Sequence, residues 1–88
     1  MTTFDELILA AEVALTQATK RREQALATVK FVHKKAQNEA RSVLTEDEEA
    51  EIRAAMETHE RADRDVRAAK HNVEQLRTAK DAEDANTR

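Results

Sequence analysis

The sequence predicts an all-α protein, an antiparallel two-helix coiled-coil hairpin with an Ala-rich seam. Three observations carry that expectation. The 88 residues include no Gly and no Pro, so nothing supplies the positive-φ turns or fixed kinks of hairpin-rich sheets. Apolar residues recur in alternating steps of four and three along two long segments. Between those segments Thr45 is followed three residues later by Glu48, a helix-start signature. Ala, Glu, Lys, Arg and Gln dominate, and all are good helix formers. Phe4 and Phe31 are the only aromatics, so a thick core cannot be built.

A capping box, Thr3 with Glu6, opens the first helix, expected over residues 4–40. Its seam is Phe4, Ile8, Ala11, Leu15, Ala18, Arg22, Ala25, Val29, Val32 and Ala36, alternating d and a positions of a heptad. The corner is expected at 41–45. The second helix, about 46–80, starts with Glu46, Asp47 and Glu48, placed where the positive end of the helix dipole favours acids. Its seam is Ile52, Ala55, His59, Ala62, Val66, Ala69, Val73 and Leu76. The tail, residues 81–88, has no seam partner and is expected to fray.

Arms of similar length with a short connection fold back antiparallel. If facing residues have numbers that sum to about 84, large seam residues mostly meet small ones. The flanks then pair Asp5 with Arg77, Glu12 with Lys70, Arg21 with Asp65 and Lys35 with Glu51, and set Leu26 beside Met56. A slip of one heptad puts Asp5 opposite Asp84 and Leu26 opposite Asp63. Each exposed pair contributes only ~0.2–1 kcal/mol, but four agreeing pairs specify the register. At 1.5 Å per residue the hairpin should be about 50–55 Å long. Two helices bury a thin core, so two hairpins closing into a four-helix bundle is a further expectation.

The composition also excludes function classes. With no Cys there is no disulfide, thiol catalysis or Cys-based zinc site. Asp5 and Glu6 precede the first apolar run, the wrong charge for a secretory signal. That run, Leu7 to Leu15, is too short to span a bilayer and is broken by Glu12. A cytoplasmic location is expected. His33, His59 and His71 occupy different helix faces, and no Glu-x-x-His spacing exists, so no metal is expected. Ser42 is the only Ser, and there is no Gly-rich phosphate loop. No catalytic residue, cofactor or small-molecule substrate is expected.

Three groups of residues remain as candidates. Arg22 and His59 fall in adjacent seam layers and form a polar layer that fixes register, with Asp63 or Glu60 in reach of the guanidinium. Lys20, Arg21, Lys30, Lys34 and Lys35 make the first arm basic and could form a nucleic-acid patch. A net charge of −3 and the lack of an aromatic stacking platform argue against that use. Leu9, Val13, Ala27 and Phe31 lie outside the seam on the first arm's outer face. They are expected to dock another helix, from a second copy in a homodimer or from a foreign protein, with a self-assembling structural scaffold as a further alternative. The outer face of the second arm is polar and Ala-rich and should stay wet.

Ala holds positions 11, 18 and 25 in one arm and 55, 62 and 69 in the other. This pattern resembles Ala-based antiparallel coiled-coil packing, in which small residues let two helices approach closely. In size and shape the chain is similar to the small secreted WXG-type hairpins of actinobacteria. It has no Trp-x-Gly at the corner and no Tyr for an export signal, so that assignment is not made. The helix-pair build also looks like that of small accessory proteins of phages and bacteria.

Overall fold

A computed structural model, describing residues 2–86, shows two helices packed along their length. These are α1 (Phe4–Asn38) and α2 (Glu46–Asn86). The Glu6 amide donates to Thr3 Oγ1 at 3.2 Å, the hydroxyl half of the expected box. At α2 both halves form. The Glu48 amide donates to Thr45 Oγ1 (3.1 Å), and the Thr45 amide to Glu48 Oε1 (2.9 Å). Two of the free amides at the α2 start are thereby satisfied.

The end of α1 corrects one expectation. The helix stops at Asn38 rather than near 40, because Ala40 turns left-handed with φ 54°. The Ala40 amide donates to Gln37 O (3.0 Å) and the Arg41 amide to Ala36 O (3.0 Å). That pair of bonds is a Schellman motif, a helix end that usually places Gly where Ala40 stands. The chain thus takes a positive-φ turn without Gly.

Every residue assigned to the seam is buried or half-buried. The buried apolar set is Ala11, Ala18, Ala25, Val32, Ala36, Ala55, Ala62, Val66 and Val73, with Val66 the largest side chain fully enclosed. Six of the nine are Ala, and Val66 and Val73 lie opposite Ala18 and Ala11, so the interior is a thin strip. Five threonines within the helices, Thr16, Thr19, Thr28, Thr58 and Thr78, donate their hydroxyls to the carbonyl four residues back.

Interhelix ion pairs report the register. Arg21 pairs with Asp65 (3.4 Å), as expected, and Arg22 with Asp63 (3.0 Å). Toward the open end the partners differ from expectation. Asp5 pairs with Lys80, and Arg77 reaches Glu12 (3.2 Å), replacing Asp5–Arg77 and Glu12–Lys70. The cause is side-chain direction. Helical side chains lean toward their own N-terminus, so in an antiparallel pair Arg77 and Glu12 lean toward each other. Lys35 and Glu51 form no ion pair among the described residues.

The tail expected to fray is helical through Asn86, and residues 87 and 88 lie outside the described residues. Ala82, Glu83 and Ala85 are good helix formers, and the Lys80–Asp5 pair ties that end to the start of α1. The hairpin is therefore 67 Å long rather than about 50–55 Å. Among the described residues no helix is long and apolar enough to cross a membrane.

Candidate interaction surface

The corner is built on Arg41. Its Nη1 and Nη2 donate to the two carboxylate oxygens of Glu48 at 2.6 and 2.9 Å, and its Nε donates to Glu39 at 2.8 Å. Nη1 also donates to the Val43 carbonyl at 3.3 Å. Glu48 is the one buried charged side chain among the described residues. The Arg41 fork and the Thr45 amide pull its carboxyl down to a pKa of about 2, while Glu48 and Glu39 hold the Arg41 guanidinium still more firmly protonated. Both Glu48 oxygens and all three Arg41 guanidinium nitrogens are engaged within this knot. Its role is to fix how α2 leaves the turn.

At the polar layer, Arg22 turns to Asp63 rather than Glu60. Asp63 also forms an ion pair with Arg67 at 2.9 Å. The Arg22 hydrogen bond chiefly, with the Arg67 charge, holds the Asp63 carboxyl below its usual value. His59 is half-buried one layer along. The layer joins the two helices through long side chains whose heads stay at the surface. Among the described residues no three His, Asp or Glu side chains are grouped to hold a metal.

The outer face of α1 is where apolar surface is left over. Leu9 is 64% exposed, Val13 48% and Phe31 68%, and Ala27 is exposed beside Phe31. These residues fall into two pairs. Leu9 and Val13 are one turn apart, as are Ala27 and Phe31, so each pair is contiguous on the helix surface. The pairs themselves are separated by 14 residues, about 21 Å of helix. Thr16, Lys20 and Gln24 stand between them. Phe31 lines a shallow hollow with Lys34, Lys35, Asn38 and Glu39.

Further apolar exposure escaped the sequence reading. Val43 at the corner is 72% exposed, and Leu7 on the flank of the seam is 41% exposed. Their signal was available, since neither occupies a seam position. Leu26 and Met56 are 40% and 41% exposed, so the seam covers them only in part.

The basic residues do not converge. Arg21 is engaged with Asp65, whereas Lys20, Lys30, Lys34 and Lys35 make no ion pair among the described residues. Lys30, Lys34 and Lys35 cluster near the corner end of α1, and Lys20 stands about 15 Å away along the helix. No protein-family model matches the chain, and neither does any curated protein or solved structure.

Proposed function

We propose that the hairpin is a non-enzymatic protein–protein interaction module, a small cytoplasmic adaptor, inhibitor or accessory protein. It docks through the outer face of α1, with Phe31, Val13 and Leu9 as apolar anchors and Ala27 as the flat seat beside Phe31. One observation carries the reading. Phe31, one of two aromatics in the chain, stands 68% exposed on a helix whose seam is filled by other residues. Aromatic anchors of this kind dominate helix-in-groove recognition.

The test is recovery of partners from the native lysate by the tagged full-length chain, after nuclease treatment, beside Phe31→Asp and Val13→Asp. A stoichiometric partner held by the wild type and lost by both variants is expected, with helicity unchanged. If both variants keep the same mass and the same bound protein, the docking face is wrong.

The unpaired Lys20, Lys30, Lys34 and Lys35 favour a second reading, a nucleic-acid-associated accessory protein. Retention on DNA or RNA that falls steeply with salt would select it, because phosphate contacts release counterions and apolar contacts do not.

A further inference from the structure

We propose that the occupant of the outer face of α1 is a second copy of this chain, docked antiparallel about a two-fold axis beside Lys20. The inference rests on the docking face proposed above and names its partner. It starts from a symmetry in the pattern. Leu9 and Phe31 lie equally far from position 20, and so do Val13 and Ala27. At 3.6 residues per turn, Leu9 and Ala27 point one way and Val13 and Phe31 about 40° away, with Lys20 midway between. A two-fold axis perpendicular to the helix therefore sets Leu9 beside Phe31 of the second copy and Val13 beside Ala27. Reciprocity of this kind is what an isologous interface requires, since residue i must meet j while j meets i.

Charge complementarity points to the same arrangement. In that register Glu6 comes level with Lys34 of the second copy, and the symmetry makes the pair twice. Within the hairpin neither Glu6 nor Lys34 has an ion-pair partner among the described residues. Lys20 meets its own copy near the axis, and Glu23, about one turn away, is the acid each Lys20 can reach across the interface. A parallel docking would instead set Lys30 and Lys34 against themselves. The contact lies on the side of α1 away from α2, so the product is a row of four helices, α2·α1·α1·α2, and not a closed four-helix bundle.

The absence of Cys makes the register readable by single-Cys cross-linking, since a disulfide needs Cβ atoms roughly 3.5–4.5 Å apart. Full-length chains are used throughout, with sedimentation of the unlabelled wild type and Phe31→Asp alongside. Expected is a wild-type dimer that dissociates on dilution, a monomeric Phe31→Asp, and rapid self-cross-linking of Lys20→Cys. An equimolar mixture of Val13→Cys and Ala27→Cys should give the mixed disulfide several-fold over either homodisulfide, whose sulfurs would be about 21 Å apart. The inference is overturned by a monomeric wild type, a preferred Val13→Cys homodisulfide, or a dimer that none of these positions traps. A monomer that still captures a foreign protein, lost with Phe31→Asp, removes the second copy as occupant and leaves the docking face standing. A dimer indifferent to Phe31→Asp removes both.

Discussion

Ala40 holds a left-handed backbone conformation, φ 54°, at the end of α1. For an L-residue with a Cβ this costs roughly 1–2 kcal/mol, because Cβ crowds the carbonyl oxygen that follows. Gly pays nothing there, but its unfolded chain has more freedom to lose, a penalty of about 0.5–1 kcal/mol. Ala40 is exposed, so its methyl group contributes no burial to set against the exchange. Ala40→Gly should therefore stabilise the hairpin by ~0.5–1 kcal/mol. For a domain of this size that raises Tm by roughly 2–8 °C, read by circular dichroism at one fixed protein concentration. In urea the midpoint should rise by a few tenths of a molar with the slope unchanged. Ala40→Val is the control and should fall, since a β-branched residue tolerates positive φ worst. A lower midpoint for Ala40→Gly would refute the strain reasoning and mean that Ala40 makes a contact worth more than its conformational cost.

Two further predictions concern the charged layers. Arg22→Leu replaces a seam cation by an apolar residue and leaves Asp63 its Arg67 partner. The melt should move up, since polar seam residues cost stability to fix register, and a lower Tm would show that the Arg22–Asp63 bond outweighs an apolar seat. Glu48 has a folded pKa of about 2 against an ordinary 4.5, a depressed carboxylate. Its stabilisation is fully present above the ordinary value and is lost as pH falls through the folded value, so the window runs from about pH 4.5 down to 2. Glu48→Gln should flatten the Tm–pH curve there, and an unchanged curve would mean that the carboxylate is not so held.

Much of the fold was legible because helical heptads are a local code. Every seam position came from spacing alone, and so did the reciprocal box of Thr45 and Glu48. Arg21–Asp65 followed from register, and Arg22–Asp63 from reach. What escaped depends on three-dimensional detail. No propensity marks Ala40 as the left-handed residue, and only the Schellman bonds it completes explain it. The lean of Arg77 toward Glu12 follows from side-chain direction, which opposite-number counting ignores. The helical continuation to Asn86 was missed because seam pattern stops at Leu76, whereas Lys80–Asp5 and intrinsic propensity carry the helix on. At the outer face, spacing identified Leu9, Val13, Ala27 and Phe31 as surplus to the seam. Their separation into two pairs symmetric about position 20 is also a matter of spacing, given the continuous helix expected over residues 4–40.

The two ends of the hairpin are unequal, and the difference has a mechanical consequence. One end is tied by a guanidinium fork, a reciprocal cap and a closed turn. The other carries the Asp5–Lys80 ion pair, and α2 has no basic residue in its last turn to offset the helix dipole. Thr3 and Asn86 lie at that second end. Tension between them would load one seam layer at a time, as in a zipper, so the pair should peel open at low force from its acidic end. Pulling instead between the corner and the open end would shear all layers together and meet far greater resistance. The molecule is soft along one line of pull and stiff along another.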